Sequence, residues 1–489
     1  MKRVNTLAAI LLTLMVSSAL AQDTLWTRTY GGSRDEVARS IYPTSDGGSV
    51  IAGVSNSADR DGTDFYLIKT DADGEIDWSQ SYGNDSNEDA HSVIQASDGG
   101  YIMAGNSQQY GRAINEIYLV KTNALGHLEW DRTYTPGEQS HLGLSACSIL
   151  ELGDGGYLIA GSAIQFGPVY GRFVLIRTDS SGDSLWSRTY AGSNFGAWAS
   201  CLIETTDGNF IISGRNGFES YLTKISDDGD VLWYQSYLLG SRSIASSIAQ
   251  ADDGGFIIAG TFLYSGEVQS DIYIMKTDEN GNAWWTGPFG GVEDDSAYAI
   301  SQASDGSYLI AGTTNSFGDG RSNVYLVRAD ENGGLLSTRT YGGVNDDGVS
   351  SMYRTNDGDF MVAGYTASFG AGSFDCWVLK IDGELTGIED DNDETLPNII
   401  SLSQNYPNPF NASTIIEFEL NQPGYAGLDV FDVRGRKVKT LVDDYLGSGR
   451  YTVKWNGISE SGKVVTSGSY FYKLKSGDYI DTRKMVLIK

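Results

Sequence analysis

Acidic side chains are the residues best placed for chemistry in this 489-residue chain. They recur at matching points of a long repeat: Asp35 and Glu36; Asp85, Glu88 and Asp89; Glu293, Asp294 and Asp295; Asp346 and Asp347. Carboxylates grouped on loops suit a cation such as Ca²⁺ or a basic ligand. A pair such as Glu88 and Asp89 has the residue types of glycoside chemistry, but carboxylates are too plentiful here for a pair to be diagnostic. The competing reading is an ordinary solvated acidic surface. The turn Asp71-Ala72-Asp73-Gly74-Glu75-Ile76-Asp77 looks like part of a calcium loop, yet Asp179-Ser180-Ser181-Gly182 and Asp330-Glu331-Asn332-Gly333 lack its carboxylates, so a recurrent hairpin turn accounts for it better.

Other chemistry is sparse. The histidines are His91, His127 and His141, whose loops are not expected to converge. No nucleophile elbow, zinc-protease or phosphate-loop motif is present. Cys201 falls on the small-residue register of a strand and Cys147 one position off it, so both read as core thiols. Catalytic residues are therefore assigned to none of these positions.

The elements that carry these residues come from repetition. Asp-Gly recurs at Asp46, Asp98, Asp154, Asp207, Asp253, Asp305 and Asp357, with spacings of 52, 56, 53, 46, 52 and 52. Such dipeptides between apolar runs signal hairpins. Before each lies a strand with small residues at alternate positions, such as Ala38 and Ser40 or Ala90 and Ser92. After each come a strand such as Ser49-Val50-Ile51-Ala52-Gly53, a third such as Phe65-Tyr66-Leu67-Ile68, and a fourth marked by tryptophan. The markers are Trp26, Trp78, Trp130, Trp186, Trp233 and Trp285, with Ser337 at the seventh place. Seven four-stranded units of about 50 residues predict an all-β chain with a seven-bladed β-propeller over 22–383. The strand 24–30 precedes any complete unit, and is expected to close blade seven as its outer strand. The acidic loops of blades six, seven, one and two then form one arc. Companion loops on the same face carry Tyr110, Phe166, Tyr170, Phe218, Phe262, Tyr264, Phe317 and Phe369, suited to a sugar, a protein partner or packing under their own loops.

Composition bounds the partners. There are 34 Lys and Arg against 63 Asp and Glu, a net charge of −29, which argues against nucleic acid. Gly, at 61 residues, lacks any collagen period, and three cysteines cannot form a closed disulfide framework. Residues 1–21 read as a signal peptide: Lys2 and Arg3, an apolar run over 7–16, and the cleavage site Ala19-Leu20-Ala21. No later segment is apolar enough for a spanning helix.

Beyond an acidic linker over 384–398, residues 399–489 alternate as short strands, which suggests a small immunoglobulin-like sandwich. Here Leu402-Ser403-Gln404-Asn405-Tyr406-Pro407-Asn408-Pro409-Phe410-Asn411 resembles the opening of the type A C-terminal sorting domain of the type IX secretion system. Val430 to Arg436, Trp455-Asn456-Gly457, Ser467 to Tyr472 and the ending Arg483-Lys484-Met485-Val486-Leu487-Ile488-Lys489 match later motifs of that family in order. Ala412 stands where family members often have Pro. The resemblance implies that Asn405, Tyr406, Pro407, Asn408, Pro409, Phe410, Lys484, Met485 and Val486 carry the sorting motif. It further implies Sec export, the type IX machinery as partner, and release or display at the outer surface of a diderm bacterium. Residues 398–489 carry a net charge of +3 and residues 22–397 one of −34, so the address differs electrostatically from its cargo. The expected function is a non-enzymatic binding propeller with an unknown glycan or protein ligand. The alternative is a secreted polysaccharide hydrolase or lyase using the acidic loops.

Overall fold

Asp-Gly hairpins and strand alternation produce seven four-stranded antiparallel sheets. The computed structural model describes residues 24–57, 62–83, 87–108, 115–135, 142–165, 171–190, 196–263, 269–318, 320–383, 401–402, 405, 407–420, 424–446, 449–476 and 479–488. The expected signal peptide and acidic linker, Asp85 and Tyr406 lie outside these. The chain divides into two compact units, Met1–Gly387 and Ile388–Lys489. No described helix is long and apolar enough to cross a membrane.

In blade one the strands run Glu36–Pro43, Ser49–Ser55, Asp64–Thr70 and Ile76–Tyr82, in that order across the sheet. The inner strands of blades two to seven are Asn87–Gln95, Leu142–Glu151, Ala197–Glu204, Arg242–Gln250, Asp295–Gln302 and Asp347–Arg354. Each packs against the inner strand of the next blade, and the seventh packs against the first, so the ring is closed. Blade seven takes its outer strand from Thr24–Tyr30, which pairs antiparallel with Asp375–Ile381 from Thr24↔Ile381 to Tyr30↔Cys376. Trp377 Nε1 donates to Thr27 Oγ1 across this seam at 2.6 Å.

The small alternate residues of the inner strands have a specific use. Ser40 Oγ accepts the Val93 N–H, Ser92 that of Ile149, Ser247 that of Ile300, and Ser351 that of Ile41 across the seam, at 3.2–3.3 Å. In these four blades a backbone donor on the axial sheet edge, which would otherwise be open to strand pairing, is thus satisfied by the preceding blade.

Every Asp-Gly hairpin is also clasped. Its aspartate pairs with the basic residue near the end of the third strand: Asp46–Lys69, Asp98–Lys121, Asp207–Lys224, Asp253–Lys276, Asp305–Arg328 and Asp357–Lys380 at 2.6–3.0 Å, with Asp154–Arg177 the seventh. Asp98 Oδ1 accepts the Gly100 N–H at 2.8 Å while Oδ2 takes the Lys121 ammonium, whose side chain is 3% exposed. The outer strands fasten neighbouring blades. Trp78 lies over Gly126 in the next blade's third-to-outer turn, and Tyr82 donates to the Gly126 carbonyl at 2.6 Å. Trp26, Trp130, Trp186, Trp233 and Trp285 cover the matching turn glycines of their neighbours.

In the second unit, a three-stranded sheet (Ser401–Leu402, Thr414–Leu420, Gly449–Trp455) and a four-stranded one (Lys437–Leu446, Gly424–Asp432, Gly468–Ser476, Tyr479–Leu487) share one core. Ile416, Phe418 and Trp455 from the first sheet meet Leu428, Val430, Tyr472 and Met485 from the second. The sandwich is compatible with an immunoglobulin-like fold.

Candidate functional site

The acidic arc resolves into two sets of carboxylates. Glu36, Glu88, Asp295 and Asp347 are buried, at 1% exposure or less. They hold the loop or strand segments of their own blades. Glu36 accepts the Gly32 N–H at 2.8 Å, Asp295 that of Gly291 at 2.8 Å, and Asp347 that of Gly343 at 2.7 Å. Serine hydroxyls complete the shell: Ser55 on Glu36, Ser107 on Glu88, Ser316 on Asp295 and Ser368 on Asp347, at 2.7–2.9 Å. At Asp295 burial raises the pKa, opposed by hydrogen bonds from Thr314, Gly291 and Ser316.

The second set is spent on neighbouring segments. Asp35 accepts the Phe374 N–H at 3.3 Å, linking blades one and seven, and Asn56 Nδ2 at 3.3 Å. Asp294 accepts the Ser270 N–H and hydroxyl at 2.7 and 2.8 Å, and Asp346 the Ser322 hydroxyl at 3.5 Å. Asp89 pairs with Arg39 at 3.3 Å. In the turn Asp71–Asp77, Asp71 Oδ1 accepts the N–H groups of Asp73 and Glu75 at 2.9 Å, so it serves as a turn cap. Among the described residues no group of three or more His, Cys, Asp or Glu side chains is placed to hold a metal ion.

A different set emerges at the axis. Every inner strand carries one bulge at the same register, where one residue is skipped in pairing. The skipped residues are Arg39, His91, Cys147, Ser200, Ser246, Tyr298 and Ser350. Bulges re-aim a side chain away from the ladder, here on the edge of the sheet nearest the axis. His91 Nε2 lies 3.0 Å from Asn106 Nδ2, and Asn106 also donates to Ser145 Oγ at 3.1 Å. Burial, aided by Arg39 and opposed by Asp89, lowers the His91 pKa. Tyr298 is 46% exposed, yet burial raises its hydroxyl pKa against the pull of Arg39. Cys147 and Cys201 have thiols raised by burial, the opposite of an activated nucleophile.

The second strands give a further column, the residue after the glycine that faces each bulge: Val54, Asn106, Ser162, Arg215, Thr261, Thr313 and Tyr365. The polar members reach the next blade: Asn106 Oδ1 accepts the Ala146 N–H, and Ser162, Thr261 and Thr313 accept those of Ala199, Ala297 and Val349, at 3.0–3.4 Å. Arg215 and Tyr365 break this rule. Tyr365 lies over Gly348, whose missing side chain leaves room for the ring. Arg215 lies across the ladder from Trp198, its guanidinium 4.1 Å from the ring centroid, with Nε buried and without an acceptor. Burial and then the charge of Arg242 lower its pKa. Trp198, Arg215 and Arg242 form no motif of their own in the sequence; what marks them is their difference from the matching positions of the other six repeats. Of the loop aromatics, Phe262 is buried and Phe317 partly buried, whereas Phe218 and Phe369 are 48% and 37% exposed. Tyr110, Phe166, Tyr170 and Tyr264 lie outside the described residues, as does His141.

In the second unit the first and last motifs form one site. The Val486 N–H donates to Asn408 Oδ1 at 2.8 Å, and Phe410 exchanges backbone bonds with Val486 and Ile488, each at 2.9 Å. Asn405 is buried; its N–H donates to Tyr472 Oη at 2.7 Å and its Nδ2 to Thr414 Oγ1 at 2.8 Å and Pro407 O at 3.1 Å. Phe410 packs on Trp455, and Met485 is fully buried while Lys484 is exposed. The Asn408–Pro409 peptide is cis.

Comparison with known proteins places a family on this second unit. Residues 404–489 match the secretion system C-terminal sorting domain. No curated protein matches the chain. Among solved structures, a catalytically inactive virginiamycin B lyase from Staphylococcus aureus with quinupristin is 15% identical over 73% of this chain and 99% of that one, with a TM-score of 0.45. An α-L-arabinanase of Penicillium chrysogenum complexed with arabinobiose is 12% identical over 60% and 93%, at 0.41. PorZ, an essential surface component of the type IX secretion system of Porphyromonas gingivalis, is 10% identical over 92% and 81%, at 0.23.

Proposed function

We propose that this chain, whose C-terminal residues are a type IX sorting domain and thereby imply secretion to the surface or exterior of a diderm bacterium, is a binding protein whose propeller takes its ligand at the axial end of the loop face. The domain organisation behind this reading is a signal peptide over 1–21, a propeller over 22–383, a linker over 384–398 and the sorting domain from 399. Departure from the repeat is the observation that carries the reading. The clasp recurs in all seven blades, the tryptophan fastener on six outer strands and the accepting axial serine in four blades, while Arg39, Asp89, His91, Trp198, Arg215, Tyr298 and Tyr365 differ where side chains meet the axis. Packing does not require such differences, since sibling blades manage with Ser, Thr or Gly at the same places. Of the acidic loop residues on which a hydrolase or lyase would draw, Asp35, Glu36, Glu88, Asp89, Asp294, Asp295, Asp346 and Asp347 are engaged by backbone donors, side-chain donors or Arg39, which favours binding over catalysis. Glycan and peptide arrays probed with the mature chain, with and without Ca²⁺, test this. Retention of a defined ligand without product formation is expected; a polysaccharide shortened by the chain would sink it.

A further inference from the structure

We propose that a recess over blade four, formed by Trp198, Arg215, Phe218 and Arg242, binds a sugar residue bearing an anionic group. This rests on the binding role proposed above and assigns it a place and a ligand class.

Recession follows from loop length. Between second and third strands, blade four has two residues, 217–218, where the other six blades have five to eight. The shorter spacing of 46 between Asp207 and Asp253 is the trace of this in the sequence. A two-residue hairpin is the shortest of the seven and covers less of its blade than a longer connection would. Gly217 N–H donates to Gly196 O at 2.7 Å, fixing the tip against its own inner strand. The Phe218 carbonyl accepts the Ser243 N–H at 2.8 Å, which sets exposed Phe218 beside Arg242 at the entrance to blade five.

Charge supplies the ligand class. The unit over 22–397 carries 20 basic residues against 54 acidic ones, and seven of the basic ones are held in hairpin clasps. Arg215 stands opposite Ser220 in the ladder and the Ser220 N–H donates to Ser243 Oγ at 3.0 Å, which puts Arg215 and Arg242 on adjoining segments, and among the described residues no ion pair ties either to a carboxylate. Two guanidinium groups with no carboxylate partner among the described residues form, in so acidic a protein, a local attractor for an oxyanion, which their planar forks bind in bidentate fashion. The Trp198 ring holds Arg215 in place by cation–π contact. Phe218 offers an apolar face to the C–H side of a pyranose. The net charge of −34 over 22–397 repels polyanions at long range, so the ligand is a glycan with isolated acidic residues, carboxylated or sulfated.

Calorimetric titration of the mature chain tests this with a uronate-capped disaccharide, the same disaccharide sulfated, its neutral parent and an acidic dipeptide. Binding of an acidic disaccharide is expected, about ten-fold weaker for the neutral parent and for Arg215→Gln or Arg242→Gln, and unchanged for Arg188→Gln on an outer strand. The uronate and sulfate arms identify the source of the anion. Arg242 is exposed, so its variant keeps the test valid if Arg215→Gln melts lower. No heat from either acidic sugar, or equal affinity in Arg242→Gln, overturns the proposal. Tighter binding of the acidic dipeptide overturns the sugar assignment. A different ligand found on the arrays and indifferent to both arginines would leave the binding role standing and remove this recess from it.

Discussion

The hairpin aspartates combine turn chemistry and ion pairing in one side chain. One oxygen caps the turn at Asp98 while the other holds a lysine that the fold has buried. All seven have pKa values below the ordinary carboxylate range. The Thr355 hydroxyl and Lys380 hold Asp357 at about 2, and at Asp46 Thr44 and Lys69 outweigh burial to reach about 2. A folded value below the unfolded one contributes stability that is complete above about pH 4. It is lost as the pH falls through the folded pKa. The melting temperature is therefore expected to drop between about pH 4 and pH 2, and Asp357→Asn to lessen that drop while lowering the plateau at neutral pH. Scanning calorimetry at stepped pH measures both; parallel curves for the two proteins would remove the clasp from the account. The sequence displayed Asp46 and its six counterparts as turn formers. Their ionic role was hidden because the partner stands 17–23 residues away on a strand whose lysine reads as solvent-facing.

Outer strands show how one marker serves two blades. Gly126 has φ of +75°, and a Cβ there would lie 2.6 Å from the Trp78 ring. Gly126→Ala is expected to cost about 3 kcal/mol from left-handed strain and overpacking together, read by urea unfolding; a loss below about 1 kcal/mol would mean that the ring gives way freely. The same contact explains the exception at Ser337. A tryptophan there would cover the third-to-outer turn of blade seven, but blade seven has none, because its third strand ends at Ile381 and its outer strand comes from Thr24–Tyr30. Strand count and spacing were legible from the Asp-Gly and Trp periods. Legibility ended at Arg215 and Trp198, because their meaning lies in how they differ from sibling positions and in which blade's loop is short. The bulges leave a fainter trace: across Arg39 the core-facing residues run Glu36, Ala38 and Ile41, and across His91 Glu88, Ala90 and Val93, a step of three that interrupts the period of two in one place only.

Across the whole chain, two junctions join segments far apart in sequence. In the sorting unit, Asn408 accepts from Val486, 78 residues on. Asn408→Ala leaves that N–H without its acceptor and is expected to destabilise the unit by about 1–2 kcal/mol. Export should fall with it, measured as the ratio of chain in the medium to chain retained in the periplasm; undiminished export with a lower melting point would separate folding of this unit from its recognition. In the propeller, the seam between Thr24–Tyr30 and Asp375–Ile381 spans the ring. Deleting residues 24–30 bares the edge of the latter strand. A lower melting point and self-association by light scattering are expected, and a monomer as stable as the parent would contradict that role for the seam.

That seam also sets a timetable. The ribosome makes Thr27 early and its partner Trp377 350 residues later. Six blades can be assembled while the first strand waits unpaired, and the ring becomes one cooperative body only when nearly the entire propeller has been synthesised. For that interval the nascent chain offers a free strand edge to any neighbour, so the meeting of its earliest and latest strands competes with concentration-dependent association between chains.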